Sequence, residues 1–447
     1  MKHLVSIFLF FSISLSAIQV IIDDANIFND TKLKSEYLKY NAYLANTYDI
    51  DLRVITTNTK QDINLFANKA FKKLQDSSRS NSGRMILLVV NPTLDQLRIE
   101  ISNALEPVYT DGYISYIERK GIIPYFEANK VADGIFMVME LIKDKAQEAQ
   151  KKGAFLPKMR THSIGAGART TTKINHKNPN AKKGQNITAT TQDTPKTILK
   201  KYIHALKHHN KNPDLDIYTD TTKEFFRKWV VTDINQNHEV ENLQKCIHKY
   251  QTLFDTTNTH AVLAVLPYDK HRRCSPYFFK QEKEKWKLDI ASMAQMLRFN
   301  TTMQWHFDLA KRLQNEGIYY AYAFDGYGFD KNGFPFLAKI DDKEKKYRWG
   351  FSCGRWFYPQ YKKLIKQNPQ KYTKCWINNY TYGMPANVRL GLDVYDYILF
   401  TSDGEKQNND ITFQEFMQFM KDVPSGTLIE VGVYHHGKKI IRRGIAP

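Results

Sequence analysis

Over residues 18–150 the apolar positions switch repeatedly between two periods. Gln19 to Ile22 reads as a short apolar strand. Leu33, Tyr37, Tyr40 and Leu44 then fall on one face of a helix spanning Lys32 to Thr47, with Asn29 or Asp30 available as its cap. Ile50 to Thr56 alternates as a strand and Ile63 to Leu74 is amphipathic again. Met85 to Val90 is an unbroken apolar run, the pattern of a strand buried on both faces. Leu97 to Ile101 alternates. Two helices follow, around Gly112 to Lys120 and Ala132 to Gln150, with Pro124 between them. The order βαβαββαα predicts an α/β domain of three layers, helices covering a central sheet.

The rhythm stops at residue 151. Residues 151–192 hold nine Lys and Arg, no Asp or Glu, and no apolar period, which predicts a basic, flexible, self-repelling linker. Residues 193–317 then read as an α+β domain. Thr194 caps and Pro195 opens a helix that buries Ile198, Leu199, Tyr202, Ile203 and Leu206. A further helical stretch holds Phe225, Phe226 and Trp229. Strands follow at His260 to Leu266, Tyr277 to Lys280 and Trp286 to Ile290, and a helix over Met293 to Leu313. Residues 318–447 are aromatic and mostly β. Ile318 to Phe324 and Gly333 to Ile340 predict a hairpin, and Asp330-Lys331-Asn332-Gly333 within it reads as a turn rather than a calcium loop.

Composition changes this picture at three points. Met1-Lys2-His3, the apolar Leu4 to Leu15 and the small residues around Ser16-Ala17 form a Sec signal over residues 1–17. The alternative is an uncleaved anchor in the inner membrane. Either way the expected location is periplasmic or secreted, and with Cys246 the first cysteine, a lipoprotein is excluded. Four cysteines in an oxidising compartment allow three connectivities. The sequence-local choice pairs Cys246 with Cys274 and Cys353 with Cys375, against four buried free thiols. The net charge of +19 (65 basic, 46 acidic residues) invites nucleic acid as a partner. Export and the concentration of charge in the linker remove it, leaving an anionic envelope surface as the linker's expected contact.

Several signals of the first domain recur together in one family. Ile22-Asp23-Asp24-Ala25 before a helix, Asn81 to Val90, Leu97 to Ile101, Ala104-Leu105-Glu106, Thr110-Asp111 and Ile123-Pro124-Tyr125-Phe126 resemble the TPM-domain family in the right order. The resemblance implies an α/β sandwich in an extracytoplasmic protein. It also implies a metal site, calcium for preference, at Asp23, Asp24, Glu106 and Asp111, since converging carboxylates suit a hard cation. Two departures stand against close approach of a ligand to the backbone. Ser102-Asn103-Ala104 replaces the family's glycine-rich stretch, and Asn81-Ser82-Gly83 replaces its N-N-G. The middle domain loosely resembles nuclear-transport-factor-two-like domains.

Residues 345–445 resemble PDZ domains through Gly383-Met384-Pro385-Ala386, Gly391 to Leu399 and the helix start Ile411 to Phe416. Tyr395 stands where the family has glycine, and Tyr358 to Tyr372 is an insertion. The resemblance implies a carboxylate-binding loop at Trp349-Gly350-Phe351, with Thr412 and Phe413 contacting a peptide side chain. A partner's extended C-terminus would add as a strand beside Phe351 to Trp356. No nucleophile motif, zinc motif or phosphate-binding glycine loop occurs. The expectation is therefore an exported, non-catalytic adaptor that binds an envelope protein or peptide C-terminus. The alternative is a metal-dependent, acid-phosphatase-like hydrolase in the first domain.

Overall fold

The computed structural model describes residues 19–155, 167–171, 184–308, 315–324, 326–337, 351–354, 375–380, 390–392, 396–409, 411–424, 426–435 and 438–446. The expected signal lies outside them. Among the described residues no helix is long and apolar enough to cross a membrane. The chain divides into two compact units, residues 1–179 and 180–447.

The first unit is built on a five-stranded sheet in spatial order β1 (Ile21–Asp23), β2 (Asp51–Thr56), β3 (Met85–Asn91), β4 (Gln96–Ile101), β5 (Gly167–Thr171). The first three strands are parallel; β4 and β5 run antiparallel to their neighbours. Helix α1 (Thr31–Tyr48) links β1 to β2, and α2 (Ile63–Gln75) links β2 to β3. Met85, Leu87 and Val89 of β3 join Ile55 in packing on Ile63, Ala67 and Phe71 of α2. Ile86, Leu88 and Val90 point to the other face by strand alternation, and they too are fully buried. The unbroken apolar run thus has the cause expected of it: β3 is covered on both faces. Asp62 caps α2 by accepting from the N–H groups of Asn64 and Leu65.

Two local readings change. Pro124 does not separate two helices. Helix α3 (Asp111–Tyr116) runs through a π-helical segment (Ile117–Ile122) into α4 (Ile123–Glu127). Pro124 sits in the first turn of α4, where a missing N–H costs nothing. Helix α5 (Val131–Lys151) follows. The expected linker is not wholly without fold either. Its residues Gly167–Thr171 pair with β4 from Glu100 to Gln96 as β5. β4 would otherwise expose a row of unpaired N–H and C=O groups.

The second unit opens with α6 (Pro195–Lys207), capped by Thr194 and burying the face read from the sequence. Helices α7 (Asp220–Lys228) and α8 (Asp233–Cys246) lead into an antiparallel sheet of β6 (Gln251–Phe254), β7 (His260–Ala264), β8 (Tyr277–Glu282) and β9 (Lys285–Leu288). Ala261, Leu263, Phe279 and Leu288 share a core with α6 and α8. Val262, Ala264 and Phe278 form a second core with Trp305, Phe307, Tyr320 and Phe324. The disulfide Cys246–Cys274, at a Cα separation of 5.6 Å, ties the end of α8 to the approach to β8.

The expected helix over Met293 to Leu313 is not what forms. α9 (Ile290–Met296) stops where β10 (Leu297–Phe299) pairs with β11 (Trp305–Phe307). Asn300 makes that turn by accepting the N–H groups of Thr302 and Gln304 on its side-chain oxygen. Asn315–Phe324 is a 3-10 helix rather than a strand, and the hairpin is the shorter β12 (Tyr327–Phe329) with β13 (Pro335–Leu337). Asp330 to Gly333 is indeed a turn. Gly333 has φ +81°, and a Cβ there would lie 2.0 Å from the Phe307 carbonyl oxygen. Ile318, Tyr320, Ala321, Ala323 and Phe324 pack in one core with Val262 and Ala264 of β7 and Phe278 of β8.

A last sheet has the path β14 (Phe351–Gly354), β15 (Trp376–Tyr380), β16 (Tyr397–Ser402), β18 (Leu428–His435), β19 (Lys438–Ile445), with β17 (Gln407–Asn409) beside β16. Helix α10 (Phe413–Asp422) buries Phe416 and Met420 against Ile398, Ile429 and Val431.

Candidate functional site

The carboxyl ends of β1, β2 and β3 bring Asp23, Thr56 and Asn91 to one end of the first sheet, the usual place for a ligand in a parallel sheet. Their polar groups are spent on the chain itself. Asp23 Oδ1 accepts from Ile27 N at 2.9 Å and Thr56 Oγ1 at 2.5 Å; Oδ2 accepts from Phe28 N at 2.9 Å. Asn91 Nδ2 donates to Thr59 O, and its Oδ1 accepts from Leu94 N. Asp24 is exposed beside them.

Glu106 and Asp111 are elsewhere. β4 runs back antiparallel to β3, so the residue after it, Ser102, exchanges hydrogen bonds with Met85 at the opposite end of the sheet. That point lies five residue rises, about 17 Å, from the level of Asp23. Glu106 lies in the turns that follow, and Asp111 begins α3 after its cap Thr110. The four carboxylates expected to converge are therefore split between two ends. Consistently, no group of three or more His, Cys, Asp or Glu side chains among the described residues is placed to hold a metal ion.

The end carrying Ser102 to Asp111 also carries Asn81-Ser82-Gly83, and here the sequence reading missed the residues that matter locally. Asp49, at φ +55°, accepts the N–H groups of Asn81 and Ser82, each at 2.8 Å. Asp51 is fully buried and holds two guanidinium groups: Arg53 Nη2 and Arg79 Nη2 each lie 2.9 Å from its carboxylate. Arg53 reaches on to Ser77, and Arg79 to Asn41 of α1. A buried carboxylate needs such partners. The result is a pinned loop from Ser77 to Arg84, and the shallow cleft at Ala42, Asn46, Asp49, Arg79 and Asn81 is walled by it.

A family model matches this part of the chain. The TPM_phosphatase model, a TPM domain, aligns with residues 21–145. Residues 21–145 are a TPM domain. A solved structure also matches: the solution NMR structure of the N-terminal domain of a protein from P. gingivalis, 18% identical, covering 32% of this chain and 89% of that one, with a TM-score of 0.27. No curated protein matches the chain.

Within the TPM domain, the motif segments Asn81–Gly83, Ser102–Glu106 and Thr110–Asp111 thus gather at one end of the sheet. The Asp23-Asp24 pair closes a turn at the other. In the second unit, Phe351 is the first residue of β14, while Trp349 and Gly350 lie outside the described residues. Phe413 is the first residue of α10; its side chain lies outside the description too. Thr412 is occupied in a capping box: its Oγ1 accepts from Glu415 N, and Glu415 Oε2 accepts from Thr412 N at 2.7 Å. Cys375 is disulfide-bonded, and the side chain of Cys353 lies outside the described residues.

Proposed function

We propose that this chain is an exported adaptor that takes up an extended segment, by preference the C-terminus, of an envelope protein as an added strand on β14. The observation that carries this reading is the place of β14: among the described strands it ends the path of its sheet, with β15 as its neighbour. Such an edge offers main-chain donors and acceptors to a peptide whatever its side chains. Trp349 and Gly350 immediately precede that strand in the sequence and, with Phe351, would receive the terminal carboxylate. The TPM domain supplies a second contact. Its polar residues at both sheet ends are engaged in holding loops, which supports a binding role over a hydrolytic one.

The test is a C-terminal peptide library presented to the full chain. Binders are expected that lose at least tenfold affinity when the terminal carboxylate is amidated and when Gly350→Trp fills the loop, with an unchanged thermal midpoint. A library without binders, or binders indifferent to both changes, would refute the strand-addition reading. Metal-dependent turnover of a phosphomonoester by the same preparation would instead favour a hydrolase.

A further inference from the structure

The second unit contains a cleft that neither the TPM domain nor the β14 edge explains. It opens between α6, the segment following it, and α8, and its empty volume is about 470 Å³ with the open mouth included. Four rings, Tyr202, Tyr218, Phe226 and Trp229, form part of its wall, with Phe225 packed behind them. Trp229 stacks on Phe225 at 5.1 Å, Phe225 meets Phe226 at 5.5 Å, Phe226 meets Tyr218 at 5.0 Å, and Tyr218 meets Tyr202 at 6.1 Å. Trp229, 46% exposed, stands at the mouth.

Two acceptors line this aromatic space. The Glu239 carboxylate receives the hydroxyls of Tyr202 at 2.9 Å and Tyr277 at 3.0 Å, one on each oxygen. It has no basic partner among the described residues: no Lys, Arg or His pairs with it, and Lys211, which also lines the cleft, pairs with Asp233 at 2.7 Å instead. Burial pushes its carboxyl upward, opposed by the two phenols. The second acceptor is Gln236, one turn earlier on α8 and 2% exposed. Its Nε2 donates to Asn210 O at 2.8 Å, and its Oε1 has no hydrogen-bond partner among the described residues. A buried amide oxygen without a donor and a half-buried carboxylate without a cation each carry a desolvation cost. One ligand would relieve both.

We propose that this cleft binds a small alkylammonium ligand that carries N–H donors. Its charge neutralises Glu239, an N–H reaches Gln236 Oε1, and its chain lies along Phe226 and Trp229. The ring faces add a cation–π attraction. The donor requirement separates this ligand from a quaternary ammonium ion, which has charge but no N–H.

Calorimetric titration of the full chain with hexylammonium, hexan-1-ol and hexyltrimethylammonium tests it. Hexylammonium is expected to bind at least tenfold more tightly than either of the others. Glu239→Gln should remove that tenfold preference and leave the alcohol unchanged. Because Glu239 is half-buried and holds two tyrosine hydroxyls, a second variant at the exposed mouth, Trp229→Ala, guards against misfolding; it should weaken hexylammonium severalfold at an unchanged thermal midpoint. Equal binding of amine and alcohol, no binding of hexylammonium, or indifference of both variants would overturn the proposal.

Discussion

Glu118 sits in the π-helical segment with 1% of its surface exposed, and its Oε1 meets no donor among the described residues. Burial pushes its carboxyl up to about 7, with Arg98 and Arg119 only partly opposing this. Glu140 on α5 is raised to about 7 for the same first reason. Both groups bind a proton more readily folded than unfolded. Stability therefore falls as pH rises from the unfolded value of about 4.5 through 7, by about 1–3 kcal/mol per group. Glu118→Gln should remove roughly half of that slope and stabilise the first unit at pH 8. Hydrogen exchange in β3 and β4 between pH 5 and 8 measures it, and an unaltered slope would contradict the assignment. Neither residue stood out in the sequence. A Glu in an amphipathic helix reads as solvated, and only the π-helical widening turns Glu118 inward.

The elements were most legible where their pattern is local. The run at Met85 to Val90 and the capped face of α6 depend on periodicity and one cap, and both form as read. The expected convergence of Asp23 with Glu106 failed over direction. Only residues 92–95 separate β3 from β4, too few for the crossover that a parallel pair requires. Loop length alone would thus have reversed β4 and sent Glu106 to the far end. The helix lost beyond Met296 had a comparable signal in Asn300-Thr301-Thr302, a turn former between two short aromatic strands. Between elements, the bond Cys246–Cys274 closes a segment with a sequence separation of 28. On the chain-entropy account its loss costs about 3–4 kcal/mol. The double variant Cys246→Ser, Cys274→Ser should show that shift in urea midpoint, read by tryptophan fluorescence, and a midpoint equal to that of the oxidised chain would count against it.

Across the whole molecule, the charge that opened the question of nucleic acid is partly structural. The basic segment after α5 is the one that returns to complete the TPM-domain sheet, placing Arg169 opposite Arg98 in the register of β5 on β4. β5 is also the only described element of the segment that joins the first unit to α6. Tension drawn on the chain from the second unit would reach Thr171 before Gly167. Because β5 runs in the direction of β1, a pull between the ends of the chain loads the β4–β5 bonds partly along the strands. In a pulling experiment on the full chain, release of this edge strand should be the first rupture of the first unit, while the remaining four strands hold. A chain fixed at both ends would then have a slack length in reserve, let out under strain and rewound when the strain is gone.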